Sequence, residues 1–180
     1  MRREFPLTPM GKMTWVTAVT LALVVPLLII VAVVLNAPAS VQAGVIPMRV
    51  AMLGICVAMG CALLVTLRRL RVSIEGDRLV VRAAFYTRRV RLAELDTNAA
   101  RIVDLDHAPE WKPRLRMNGI SLPGARIGHF RGLPWHRKMF CALTSHQRVL
   151  VLPERSDERF LLLSLERPQA LQEALKGAAR

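Results

Sequence analysis

Acidic and aromatic residues are scarce in this chain of 180 residues. It has 13 Asp and Glu against 26 Lys and Arg, a formal net charge of +13, and only 5% aromatic residues. The three cysteines, Cys56, Cys61 and Cys141, form no Cys-x-x-Cys pair, so the chain is no disulfide scaffold. Since 53% of the residues are hydrophobic, the sequence also excludes an intrinsically disordered chain.

The hydrophobic residues are concentrated in two runs that lack any Asp, Glu, Lys or Arg over most of their length. Residues 14–35 carry no charge, and residues 45–67 carry only Arg49, near one end. Each run is long enough to cross a hydrocarbon layer of about 30 Å as a helix. The uncharged segment 36–44 between them contains Asn, Pro and Gly, so we expect a transmembrane α-hairpin with 36–44 as a periplasmic or extracellular loop.

Basic residues flank the predicted hairpin and set its orientation. Arg2, Arg3 and Lys12 precede the first span, and Arg68 and Arg69 follow the second. The positive-inside rule then predicts a protein of the inner (plasma) membrane with both termini cytoplasmic, residues 1–13 forming a basic N-terminus.

A cleaved signal peptide is the alternative to the first span, because Val41-Gln42-Ala43 resembles a small-x-small cleavage site. The apolar run of 22 residues is longer than the 7–15 residues usual for a signal peptide, and we therefore expect an uncleaved span.

Small residues recur every four positions in the second predicted span, at Gly54, Ala58 and Ala62. Such a stripe lets two helix backbones approach closely. It predicts packing against the first span or against another copy of the chain; ordinary apolar filler is the alternative.

The pattern changes after the second span, and residues 70–176 form a predicted cytoplasmic domain. Residues 70–74 and 79–83 flank the turn Glu75-Gly76-Asp77 and indicate a β-hairpin. Further runs of strand length follow at 88–92, 100–105, 126–131, 138–143, 149–152 and 160–165. About seven strands in a sandwich or small barrel are expected, followed by one amphipathic helix over 168–176 and a tail, 177–180.

A loop motif, G-x-x-x-P-G-x-x-x-G-x-F, runs through Gly119, Pro123, Gly124, Gly128 and Phe130. Its glycines suit tight turns or a bent strand, and Phe130 is a candidate core residue. With two N-terminal spans and a terminal helix begun by proline, this order resembles the bacterial PH-domain membrane proteins. The resemblance implies a mainly β, PH-like domain of two near-orthogonal antiparallel sheets capped by the C-terminal helix, and no catalytic residues.

A stretch of 43 residues without an acidic residue, residues 111–153, lies inside the predicted domain. Its basic residues are candidates for binding anionic lipid or a partner: Lys112, Arg114, Arg116, Arg126, Arg131, Arg137, Lys138 and Arg148. Dispersed, solvated charge is the alternative. The short acidic turn at Glu75–Asp77 argues against the usual inositol-lipid pocket of PH domains.

Signals for chemistry are weak elsewhere. Ser145-His146 lacks a Gly-x-Ser-x-Gly elbow, and the four histidines, His107, His129, His136 and His146, lack metal-motif spacing. Asp104-Leu105-Asp106-His107 is best interpreted as a strand entering a polar loop. We expect no enzyme, no metal, no cofactor and no nucleic-acid partner.

The sequence therefore predicts a membrane-anchored module that recruits or assembles protein partners, by binding another protein or its own copies. A sensor of anionic lipid head groups is the main alternative, and an accessory subunit of a membrane transporter is a third.

Overall fold

The computed structural model describes residues 2–36, 39–133, 137–155 and 158–178. Four α-helices and ten strands are found in these ranges. The helices are α1 Lys12–Val19, α2 Val25–Leu35, α3 Ala39–Leu67 and α4 Pro168–Ala178. The strands are β1 Arg2–Pro6, β2 Leu70–Glu75, β3 Arg78–Ala83, β4 Tyr86–Arg91, β5 Arg101–Val103, β6 Leu115–Leu122, β7 Ala125–Arg131, β8 Lys138–Leu143, β9 Val149–Pro153 and β10 Arg159–Ser164.

The chain divides into two compact units. The helical unit is Trp15–Arg68, and the β unit combines Met1–Thr14 with Arg69–Arg180. Sequence analysis placed residues 1–13 outside the folded domain, and the structure corrects this. The N-terminal segment is part of the β unit, and the helical unit is inserted between its first two strands.

One π-helical turn, Thr20–Val24, joins α1 to α2 without a break. In this turn the N–H of Val25 donates to the carbonyl of Thr20, five residues earlier, which is the hydrogen bond of a π-helix. Pro26 follows immediately and has no N–H for the carbonyl of Ala22, four residues earlier. The irregularity therefore coincides with Pro26, whose missing N–H and ring disturb a regular helix.

Gly60, rather than a residue of the predicted small-residue stripe, lies at a close helix–helix approach in this unit. A Cβ atom at Gly60 would lie 2.5 Å from the carbonyl oxygen of Ala22. Gly54, Ala58 and Ala62 are exposed, and a Cβ at Gly54 would meet nothing within 4 Å. The stripe thus lies outside the hairpin contact, and its packing against another copy remains a prediction.

One helical stretch among the described residues, Lys12–Val33, is long and apolar enough to cross a membrane by length and composition. Residues Ala51–Leu67 of α3 form a second, shorter apolar helix. The predicted loop 36–44 is wrong in extent because α3 begins at Ala39; a glycine such as Gly44 costs a helix only about 1 kcal/mol. Ala37 and Pro38 of that loop lie outside the described residues.

The β unit contains two sheets. The first has the order β1-β2-β3-β4, and the second has the order β5-β9-β10-β8-β7-β6. All neighbours are antiparallel except β8 and β10, which are parallel. The expectation of about seven strands, all antiparallel, was therefore too simple. Strand β10 lies between β9 and β8 and is antiparallel to β9, and it therefore runs in the same direction as β8.

Two strands were missed by the sequence analysis, β1 and β6. Strand β1 pairs with β2 from Arg2 opposite Glu75 to Pro6 opposite Arg71. Its sequence, RREFP, is too short and polar to alternate visibly. Strand β6 has mostly exposed residues and no buried stripe, and its glycine was interpreted as part of a turn.

The second sheet supplies most of the core. Strands β8, β9 and β10 are buried along nearly their whole length, which requires cover on both faces. On one face, Trp111 closes a cluster with Leu105, Phe130, Met139 and Leu162. The ring of Trp111 meets that of Phe160 edge-on at 5.1 Å.

The predicted C-terminal helix is confirmed. Helix α4 runs from Pro168 to Ala178 and buries Pro168, Leu171 and Leu175. Gly177 lies inside it rather than capping its end. Gln172 of α4 donates from Nε2 to the carbonyl of Ala100 at 3.0 Å. Residues 179–180 of the predicted tail lie outside the described residues.

Leu7 and Thr8, which follow β1, connect the N-terminal segment to the end of β10. Leu7, only 6% exposed, forms a bridge with Leu165, and the Thr8 N–H donates to the Ser164 carbonyl at 3.0 Å. The Thr144 hydroxyl donates to the Thr8 carbonyl at 2.5 Å. Residues 7–8 therefore link the two sheets.

Replacing Leu7 with alanine should destabilise the β unit. We expect Leu7→Ala to lower the free energy of unfolding by about 2–4 kcal/mol because it removes buried side-chain volume. The matched control Leu115→Ala changes a side chain that is 46% exposed and should cost about 0.5 kcal/mol or less. Urea unfolding of the full chain, followed by tryptophan fluorescence, measures both; equal losses would contradict a structural role for the N-terminal segment.

Candidate functional site

A cavity of about 340 Å³ opens between β4 of the first sheet and the second sheet. Its size is at the lower end of small-ligand pockets. Apolar side chains form much of its wall, and basic side chains surround them. The lining residues are Arg88, Met117, His129, Phe130, Arg131, Lys138, Met139, Phe140, Glu154, Arg159 and Phe160.

Strand register brings three basic residues together at this cavity. In the pairing of β7 with β8, Arg131 lies opposite Lys138, and in the pairing of β8 with β10, Lys138 lies opposite Arg159. We call these three residues the cation row. Like charges at directly opposed positions disfavour a sheet, so the row works against stability. Such an arrangement suits a site that receives a negative charge.

An ion pair closes one side of the cavity and joins the sheets. Arg88 on β4 donates from Nη2 to both carboxylate oxygens of Glu154, at 3.0 Å each. The Glu154 side chain is only 7% exposed and that of Arg88 28%. Glu154 also forms a bridge with Leu95 through the backbone. Glu154, the one carboxylate among the described residues that line the cavity, is therefore already engaged by an arginine.

Two glycines let β6 and β7 approach more closely than side chains permit. Gly119 and Gly128 are paired, and a Cβ on Gly128 would lie 2.6 Å from the carbonyl oxygen of Asn118. The φ of Gly128 is +114°, which favours glycine. Tyr86 of β4 lies here and donates from its hydroxyl to the Asn118 side-chain oxygen at 2.9 Å.

Aromatic edges then position the imidazole of His129. The ring of His129 meets Phe140 edge-on at 5.1 Å and Tyr86 edge-on at 6.3 Å. Partial burial, and secondly the positive charge of Arg88, lower the pKa of His129 below its ordinary value. His129 is therefore mostly neutral at pH 7, and an anion bound beside it would raise that pKa again.

A β-bulge brings Met117 to the cavity. The register shifts between Arg116 and Asn118, leaving Met117 without an opposed residue on β7. Bulges often redirect a side chain next to a functional site. Met117 is 55% exposed, and the flexible thioether is well suited to lining a binding surface.

The predicted basic residues have different surroundings. Of the eight, Arg131 and Lys138 line the cavity. Arg114 and Arg116 are exposed at and before β6. The remaining four are engaged separately: Lys112 with Asp106, Arg126 with the Pro113 carbonyl, Arg137 over the Trp111 and Phe160 rings, and Arg148 with Gln169.

The residues of the loop motif have structural roles. Pro123 and Gly124, with φ +81° at the glycine, form the two-residue turn between β6 and β7. Gly119 lies within β6 and has no positive φ, so its predicted turn role was wrong; close approach to Gly128 is the reason for glycine there. Phe130 is 3% exposed in the core, as predicted.

Sequence analysis missed the cavity itself. Arg88, Met117, Glu154 and Arg159 were not selected because they belong to strands or loops far apart in sequence. The available signal was the acid-free stretch, which contains Arg131 and Lys138 but also six basic residues that do not line the cavity. Trp135 and His136 of that stretch lie outside the described residues.

Other chemistry-bearing groups are in local structures. Asp104 accepts from the N–H of Asp106, which is the main cause of its lowered pKa, and Asp106 lies 3.3 Å from Lys112. Complete burial raises the pKa of the Cys141 thiol far above its usual range. Within the described ranges, no group of three metal-ligating side chains converges.

No protein-family model, no curated protein and no solved structure matches this chain. Function is therefore argued from the geometry of the cavity.

The ion pair between the sheets provides a test of the cavity wall. We expect Arg88→Met to lower the free energy of unfolding by about 2–3 kcal/mol, since it leaves the carboxylate of Glu154 buried without its donor. Arg89→Met, a matched change at an exposed neighbour, should have an effect of about 0.5 kcal/mol or less. Chemical denaturation of the two full-length variants measures the difference; similar values for both would show that the pair contributes little.

Proposed function

We propose that this protein is a non-enzymatic, membrane-anchored binding module that recruits a protein partner to the inner membrane through its β unit. The cavity with its cation row is the observation that carries the proposal. The membrane anchor, its topology and the PH-like character of the β unit are parts of the same proposal.

The connectivity of the β unit supports a two-span anchor. Strand β1 precedes the helical unit and β2 follows it, yet the two strands are neighbours in one sheet. A folded unit lies on one side of a membrane, so a chain that leaves it at Thr14 and returns at Arg69 crosses an even number of times. Cleavage after Ala43, the signal-peptide alternative, would remove β1 from its sheet.

Helix length and flanking charge agree with this arrangement. The Lys12–Val33 stretch is long enough for one crossing. Helix α3 has 29 residues, about 43 Å at 1.5 Å per residue, of which residues 50–67 are uncharged. Arg68 and Arg69 at its end favour a cytoplasmic β unit.

A PH-like character is supported by the two sheets and by the terminal helix that packs after the last strand. The parallel pairing of β8 with β10 departs from the all-antiparallel form, and β1 is an additional strand, antiparallel to β2. The proposal therefore claims a related architecture, and its function rests on the cavity rather than on the fold.

The position of the cation row favours a protein partner over the adjacent lipid leaflet. The Thr14 hydroxyl, just before the helical unit, donates to the carbonyl of Pro123 at 2.7 Å, at the turn that starts β7. Arg131 is at the other end of β7, about 20 Å away at 3.4 Å per residue. The row thus lies at the end of the strand remote from the chain's entry into the helical unit.

Topology can be measured by cysteine labelling in intact cells. In a background of Cys56→Ala, Cys61→Ala and Cys141→Ala, we expect Asn36→Cys to react with a membrane-impermeant maleimide. Asp77→Cys, in the turn between β2 and β3, should react only after lysis. Equal labelling of the two positions before lysis would contradict the two-span arrangement.

Partner binding can be tested by site-specific photocrosslinking. Benzoylphenylalanine at Met117 should crosslink the full chain to a protein of defined mass in its native membranes, whereas the same group at exposed Asp77 should not. Lys138→Glu, which reverses one charge of the row, should weaken the adduct at least fivefold.

The outcomes separate the candidate functions. Adducts only with phospholipid would overturn the recruitment proposal in favour of the anionic-lipid alternative. The absence of any adduct specific to position 117 would also overturn it, because the cavity would then face no partner. Mass spectrometry of the purified adducts distinguishes these results.

A further inference from the structure

We propose that the cavity binds the C-terminal carboxylate of a partner polypeptide whose last side chain is apolar. This inference deepens the proposed recruitment function and rests on it. It assigns the carboxylate to the cation row and the apolar side chain to the aromatic and methionine wall.

The positive charge at the cavity rim is complementary to a single small anion. The charge of Glu154 is matched by Arg88, and Arg159 also has an interaction within the chain. Within the described parts of the chain, neither Arg131 nor Lys138 has an ion-pair partner, although the two are directly opposed. An arginine presents a planar fork that matches a carboxylate, and a neighbouring lysine adds a point charge.

The apolar wall calls for a hydrophobic group attached to that anion. Phe140, Phe160 and Met117 line the cavity together with the cations. A bare phosphate or a sugar phosphate would leave this wall in contact with water, and burying apolar surface is the larger source of binding free energy. The complementary ligand is therefore a carboxylate with an adjacent apolar side chain.

Cavity size and openness favour a peptide end over a long acyl chain. A space of about 340 Å³ holds only a small apolar group, so a fatty acid would leave most of its tail in water. Met117 and Lys138 on the rim are both exposed, which leaves a way out for the rest of a chain. A polypeptide can continue from the cavity into solvent at no such cost.

The chemistry can be tested with small probes on the full chain in nanodiscs of zwitterionic lipid. We expect millimolar N-acetyl-phenylalanine to shift the NMR signals of His129 and of the Met117 methyl group saturably. The C-terminal amide of the same compound should bind at least tenfold more weakly. The bound carboxylate should also raise the pKa of His129, since a nearby negative charge favours the imidazolium.

Matched variants connect binding to the cation row. Arg131→Gln and Lys138→Gln should each weaken N-acetyl-phenylalanine at least fivefold, while Arg116→Gln, an exposed basic residue outside the cavity, should change its affinity less than twofold. Thermal unfolding of the variants checks that they are folded. Lys138 is exposed, so its variant keeps the test valid even where Arg131→Gln unfolds. No saturable shift, equal binding of acid and amide, or equal effects of all three variants would overturn the proposal.

Peptide and free acid are separated by extending the probe. N-acetyl-Ala-Val-Phe should bind more tightly than N-acetyl-phenylalanine because a peptide source adds contacts at the open rim. Tighter binding of decanoate than of the tripeptide, or weaker binding of the tripeptide than of the single residue, would assign the site to a free acid and overturn the peptide source.

Failure of this inference differs from failure of the recruitment function. A protein adduct at position 117 that persists when the partner's C-terminus is extended by a charged tag would overturn the carboxylate assignment alone. Loss of the adduct on that extension, with recovery on removal of the tag, supports both.

Discussion

The pairing of β1 with β2 is the constraint on which the rest of the structure depends. These strands are neighbours in one sheet although the whole helical unit, residues 15–68, lies between them in sequence. The entropy of closing so long a connection grows only slowly with its length, so five paired residues and the buried Leu7 suffice to hold the segment. The inserted helical unit as a whole therefore begins and ends at the same folded unit.

The pairing of β1 with β2 limits how the hydropathy pattern of the first helix can be interpreted. An apolar N-terminal helix can be a signal sequence, a core helix or a span. When the residues before it are built into a sheet with the residues after the next helix, removal of the first helix would also remove a strand. Under the proposed membrane anchor, the flanking arginines indicate the side of the membrane, and the strand pairing requires that both ends of the helical unit share that side.

Local signals in the sequence were sufficient where one short segment determined the structure. The turn Glu75-Gly76-Asp77 predicted its hairpin, Pro168 and the apolar spacing predicted α4, and Phe130 was correctly expected in the core.

Strands β1 and β6 were not predicted because they are edge strands with few buried residues, so their sequences do not alternate between apolar and polar residues. The contact at Gly60 was not predicted because the residues around a glycine do not show which residue of another helix packs against it. The cavity was not predicted for the same reason: its lining residues are distant in sequence and are brought together by the register of strands from both sheets.

The register of β8 also supports a functional interpretation of the cavity. A one-residue slip of β8 would move Lys138 away from Arg131 and Arg159, but it would also exchange the side chains that β8 buries on its two faces. The core therefore fixes where the three side chains lie, while nothing in the core requires them to be basic. Neutral polar residues at these positions would give the same sheet without the repulsion. Cations held together at a cost in stability, beside an exposed methionine on a bulge, are understood most simply as the binding surface for an anion.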